Sequence, residues 1–191
     1  MDPYVYPGTS VFRNLRDIRD AAALSRIEAI ATTRRGIELE HRSLVGAFDL
    51  AHLKAIHRYI FQDMFDWAGE FRTVNISKSG DSFAFHEYIV PRLNKAFEDL
   101  RNEQHLSGSD PETFAQRAAY YLGEINAIHP FREGNGRTQR EFIRQLAVHN
   151  GRVIDWTRIS REQMIEASRR SLRIDNLGLE ELLKTALTRR A

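Results

Sequence analysis

Apolar residues recur every three or four positions along most of this chain, and in one stretch they alternate instead. Ile18, Ala22, Leu24, Ile27 and Ile30 predict one or two helices between about residues 15 and 39, with Gly36 a natural break. Asp49 can cap a helix whose stripe is Leu53, Ile56, Ile60 and Met64, with Gly69 ending it. Between residues 72 and 85 Val74 and Ile76 alternate with polar neighbours. Ser79-Gly80-Asp81 then offers a turn, and Phe83 and Phe85 alternate again, so a short β-hairpin is expected, with Val74 to Ser77 as its first strand. Helical spacing resumes from Glu87 to about Gln104. Ser109 and Glu112 have capping-box spacing around Pro111, and Phe114, Ala118, Leu122 and Ile125, flanked by Tyr120 and Tyr121, predict a central helix. Further helices are expected over Asn135 to His149, stopped by Asn150-Gly151, then one capped by Ser160 and one beginning near Leu177.

The predicted fold is therefore all-α, a helical bundle with one short β-hairpin. Residues 1–14, with Pro3, Pro7 and Gly8, read as an irregular arm before one domain over 15–191. Composition agrees: 191 residues with 42% apolar and 28% charged can bury a core without staples. The absence of cysteine excludes disulfides, thiol nucleophiles and thiolate metal sites, and suits a reducing cytoplasm. No apolar run approaches bilayer length and the first residues lack a signal-peptide pattern, so neither membrane nor export is expected. Net charge is +2, with the positive excess in the last third. The arginines there are not interleaved with stacking aromatics, so nucleotide phosphates rather than nucleic acid are the expected partner.

The chemistry is concentrated in IHPFREGNGRTQREFIR, residues 128–144. Gly134-Asn135-Gly136 lets the backbone approach a ligand closely where a helix begins, and the unpaired N–H groups and dipole there favour an anion. Arg137 and Arg140 share the face of that helix's opening turns, an arrangement suited to a polyphosphate. Beside phosphates, the Glu133 carboxylate makes sense if Mg2+ bridges them. His129, in a loop before Pro130, can accept a proton from an attacking hydroxyl when neutral. Base, metal and cationic clamp together suit in-line displacement at phosphorus with a held pyrophosphate leaving group. The remaining histidines, His41, His52, His57, His86, His105 and His149, lack such a setting and read as structural or surface residues. Trp67 and Trp156 read as core anchors, and Arg144 as structural or partner-binding.

HPFREGNGRTQR resembles the Fic motif, in which His, Phe, an acid, Gly-Asn-Gly-Arg and a second Arg recur at these spacings, and every fixed position is matched. FDLAHLKAIHRYIFQDMFDWAGEFR at 48–72 resembles the segment preceding the hairpin in that family, so the similarity covers roughly residues 4–190. The resemblance implies a Fic-type adenylyltransferase: ATP as co-substrate, His129 as base, Glu133 on Mg2+, and Asn135 with the glycine amides on phosphate. Arg137 and Arg140 would meet the terminal phosphates. AMP would pass to a Tyr, Ser or Thr hydroxyl of a target protein, type II topoisomerase ATPase subunits being one class by family analogy. It also implies that the hairpin is a flap registering an extended target segment, here by Val74, Asn75, Ile76 and Ser77.

Family members are often silenced by a helix whose glutamate pairs with the second motif arginine, here Arg140. In this chain only SLRIDN at 171–176 comes near that signature, with the shorter Asp175 in the glutamate position. The chain thus resembles the toxin subgroup in which a small antitoxin supplies the glutamate. Two other readings stand beside this one. Phosphoryl transfer occurs in relatives with lysine at the position of Gly136, and a nucleotide-binding interaction module without turnover would carry a degenerate motif.

Overall fold

The computed structural model describes residues 2–78 and 80–189. Seven helices carry the fold: α1 (Ala21–His41), α2 (Leu50–Phe61), α3 (Ile89–Asn102), α4 (Pro111–Ile128), α5 (Asn135–His149), α6 (Arg161–Arg173) and α7 (Leu177–Ala186). Helix α4 is the axis, packed by α3, α5, α6 and α7, while α2 lies against α5 and α1 against α2. The expected apolar positions Phe114, Ala118, Leu122 and Ile125 are buried, and Ala115, Ala119 and Gly123 on the same helix let neighbours come close.

Caps decide most boundaries. Asp49 and Ser160 cap α2 and α6 as expected, and Ser160 forms a full capping box with Gln163. For α4 the cap is Asp110, whose carboxylate accepts from the amides of Glu112 and Thr113; Ser109, the expected cap, instead donates its hydroxyl to the Leu106 carbonyl. Helix α1 is one unbroken helix through Gly36. It starts only at Ala21, because Asp20 accepts from the Ala23 amide while Asn14 ties residues 16 and 18 into a loop. Helix α2 ends at Phe61 rather than near Gly69; Met64 and Phe65 remain in the core but beyond the helix.

The hairpin is shorter than expected. Strand β1 is Ser77–Lys78, paired antiparallel with β2, Asp81–Ser82. Of the expected first strand only Ser77 is therefore in the ladder, and Val74, Asn75 and Ile76 lead into it without strand pairing. Gly80 and Asp81 of the expected turn follow at φ +84 and on β2, while Ser79 lies outside the described residues. A second ribbon, not foreseen, pairs β3 (Arg152–Ile154) with β4 (Leu187–Arg189). The arm folds back on itself through a Val5–Phe12 bridge and buries Tyr4 and Val11 against the domain.

Candidate active site

The loop between α4 and α5 is shaped by contacts made from elsewhere in the chain. His129 closes α4 in the left-handed region, φ 49 and ψ 62, its amide donating to the Ile125 carbonyl. The Asn135 side chain closes the loop on Phe131, accepting from its amide at 2.9 Å and donating to its carbonyl at 2.7 Å. Gly134 sits at φ +80, and a Cβ there would fall 2.2 Å from the Phe61 ring, so the loop's approach to α2 requires glycine. Beneath it, His57 is fully buried and stacks on Phe131 at 3.9 Å. Its Nδ1 accepts from the Gly69 amide, so Nε2 carries the hydrogen and donates to the Glu133 carbonyl. Burial lowers the His57 pKa to about 4, keeping it neutral in this role. His57 is thus a structural residue, as expected, and its task is to hold the loop.

Above the loop lies a cavity of about 430 Å³. His129, Glu133, Gly134, Asn135, Gly136 and Arg140 all reach it, joined by Ile76, Ser77, Lys78 and Phe83 from the hairpin side. Its far wall is α6, through Met164, Ile165, Ser168 and Leu172, with Arg161 and Arg169 at its edges. The hairpin is tied to that wall where the Arg173 Nε donates to Asp81 at 2.6 Å. Arg137 does not line this cavity: it pairs with Glu28 of α1 at 2.5 Å, donates to Thr32 and lies over the Phe61 ring. Val74 and Asn75 also stand outside it.

Four features set the chemistry. His129 Nδ1 lies 3.2 Å from the Asn126 carbonyl, which can only accept, so in the neutral ring the basic nitrogen is Nε2. Burial, with the nearby charges of Lys78 and Arg72, lowers the His129 pKa to about 4, and Phe83 stacks on its ring at 3.8 Å. The start of α5 has no side-chain cap, leaving its first amides for an anion. Arg140 reaches the cavity and forms no ion pair among the described residues; burial, then Arg137, lowers its pKa. Glu133 accepts from the Gly134 amide through Oε1, and Oε2 has no hydrogen-bond partner among the described residues. No cluster of three metal-type ligands occurs among them. One carboxylate beside an anion loop nevertheless fits Mg2+, which takes most of its ligands from phosphates and water.

Two further groups escaped the sequence reading. Arg72, 2% exposed, donates to the carbonyls of Ile128, His129, Val74 and Ala84. Glu28 holds Arg137 from a helix more than a hundred positions away in sequence. Asp175 is taken by Arg170, with both oxygens at 2.9 Å, and makes no contact with Arg140. Arg144 is structural, buried and doubly bonded to Glu141.

In this helical domain an uncapped helix start, an arginine without an ion pair among the described residues and a histidine that burial keeps neutral converge on one cavity, an arrangement suited to an anion beside a proton acceptor. The Fic/DOC family model matches residues 47–147, and the chain belongs to that family. It is 46% identical over 187 residues to protein adenylyltransferase VbhT of Bartonella schoenbuchensis, spanning 98% of this chain but 39% of that protein. It is 36% identical over 187 residues to the Escherichia coli (strain K12) protein named "Probable protein adenylyltransferase Fic", spanning 98% of this chain and 92% of that one. The N-terminal Fic domain of a VirB-translocated Bep effector from Bartonella quintana, solved with bound ADP, superposes with a TM-score of 0.94 at 28% identity, covering 98% and 95% of the two chains.

Proposed function

We propose that this domain transfers AMP from ATP to a hydroxyl side chain of another protein, with His129 as the general base. It is an enzyme, a protein adenylyltransferase. The observation that carries the reading is the convergence of His129, the open α5 start and Arg140 on one cavity. The neutral Nε2 of His129 takes the target hydroxyl's proton as that oxygen attacks the α-phosphorus. The bond to the β-phosphate oxygen breaks in line, and pyrophosphate leaves toward the α5 amides and Arg140. When bound, Mg2+ held by Glu133 would offset phosphate charge. Arg137 would join the clamp only by leaving Glu28. The flap at 72–85 contributes Ile76 and Ser77 to the cavity edge, where an extended target segment can register beside Val74 and Asn75.

The unpaired Arg140, with Asp175 engaged by Arg170, supports an inhibitory glutamate supplied by a separate small antitoxin. The setting is the cytoplasm, with type II topoisomerase ATPase subunits as the first targets to try. Among the described residues no helix is long and apolar enough to cross a membrane.

The test is incubation with α-labelled ATP, Mg2+ and bacterial lysate, then with purified topoisomerase subunits, beside a γ-labelled control. A protein band carrying the α label and absent with His129→Ala is the expected result. A band from the γ label, or one that survives the substitution, overturns the assignment.

A further inference from the structure

A buried arginine normally faces a carboxylate, because an unpaired charge away from water is costly. Arg72 faces none among the described residues; its guanidinium is spent on carbonyl oxygens instead. Nε donates to His129 at 2.8 Å and Nη2 to Ile128 at 3.1 Å. The main-chain amide of the same residue donates to Pro130 at 2.9 Å. One residue therefore holds three successive carbonyls of the base-bearing loop. On its other side Nη1 donates to Val74 at 2.7 Å and Nη2 to Ala84 at 2.5 Å, the two limbs by which the hairpin leaves and rejoins the core.

This geometry answers two needs. His129 has positive φ, a conformation that non-glycine residues hold only when their surroundings impose it. The hairpin has two residues per strand, too few to fix its own place. Its return limb also carries Phe83 onto the His129 ring, and the Ala84 amide donates to Ala127 beside it.

We propose that Arg72 is a positioning residue that sets the base and the target-binding hairpin in one register, so that the hydroxyl presented by the hairpin arrives at His129 Nε2. The inference rests on the reading of His129 as the base of protein adenylylation. Lysine keeps the charge and the main-chain bond to Pro130 but cannot span the four carbonyls that the guanidinium meets, since its ammonium is a single point on a flexible stem.

The experiment compares wild type, Arg72→Lys and His129→Ala for transfer to the target, for the KM of each substrate and for thermal unfolding. Arg72→Lys is expected to lower kcat by about tenfold or more, as misplacement of a reacting group does. It should raise the KM for the target while leaving ATP affinity within about twofold, because the phosphate contacts lie on α5. A fall in melting temperature with kcat and target KM unchanged means that Arg72 only supports the fold, and overturns the proposal. Absence of His129-dependent transfer in wild type sinks the underlying function and the inference with it; transfer in wild type with an unaffected lysine variant sinks the inference alone. If the variant does not fold, the wild-type Arg72 Nε–H decides by NMR. A proton exchanging far more slowly than free arginine, and shifting together with the His129 ring signals when target is added, supports the clamp; one exchanging at the free rate, or unmoved by target, overturns it.

Discussion

Two histidines whose pKa values are depressed by burial, His57 and His129, should dominate the acid response. His57 and His129 both stay neutral down to about pH 4 in the folded chain, mainly through burial, whereas in the unfolded chain each takes a proton near 6.5. Below pH 6.5 the unfolded state thus binds protons that the folded state refuses, so stability should fall as pH drops from about 6.5 to about 4. Each histidine contributes at most roughly 3 kcal/mol to that fall. Denaturant unfolding at pH 7 and pH 5 checks it, and His57→Gln, which keeps a donor for the Glu133 carbonyl, should flatten the slope. The same shift places the acid limb of kcat/KM near pH 4, since His129 accepts a proton only when neutral; a limb at 6.5 would mean that the base titrates as an exposed imidazole. Arg140→Ala should raise the KM for ATP by about tenfold or more, the scale of one charge-assisted contact, while leaving the melting temperature close to wild type. A KM within twofold of wild type would remove Arg140 from the clamp.

At the scale of elements the site is a helix start pressed onto another helix. Helix α5 begins where GNG predicts and ends at His149, because the glycines and the apolar spacing act locally. What sequence could not supply was the partner each element meets. The three-residue ribbon β3–β4 joins segments separated by α6 and α7, and nothing in either segment signals the other. Arg72 was visible as the last residue of WAGEFR but not as a clamp, because its partners are main-chain carbonyls, which leave no residue-type trace. Ser109 was a plausible cap by spacing, and Asp110 prevailed because its carboxylate bonds two amides and the Thr113 hydroxyl. Gly134 is legible both ways, as a motif residue and as the point where α5 touches Phe61. Gly134→Ala meets a left-handed φ and a ring at once, so it should cost about 2–4 kcal/mol and weaken ATP binding. Pairing it with Phe61→Val should return part of the stability, since the clash is with the ring; strictly additive losses in that cycle would place the strain elsewhere.

For the whole molecule, the cavity depends on segments that the sequence presents as peripheral. The arm's sequence is irregular, yet the Tyr4 hydroxyl accepts from the Thr73 amide at 3.1 Å, just before the hairpin. Asp2 takes both Nε and Nη2 of Arg132 in the loop between α4 and α5. Tyr4 also meets Trp67 edge-on at 5.4 Å, and Val11 is buried in the core. The arm therefore braces the loop and the start of the hairpin, and its apolar residues belong to the same core as α2. Prolines and a glycine removed any periodicity from this stretch, so pattern alone could not report its burial. Deleting residues 2–13 exposes the surfaces under Tyr4 and Val11, worth about 1.5–3 kcal/mol for each side chain, and leaves Arg132 unpaired. At roughly 2–4 °C per kcal/mol for a domain of this size, the melting temperature should drop by about 10–20 °C. The truncated chain should also show a raised KM for the target at temperatures where it remains folded, because Thr73 and the hairpin lose their brace. Melting within a few degrees of the full chain, with target KM unchanged, would confine the arm to the surface and leave α6 and Arg72 to hold the hairpin alone.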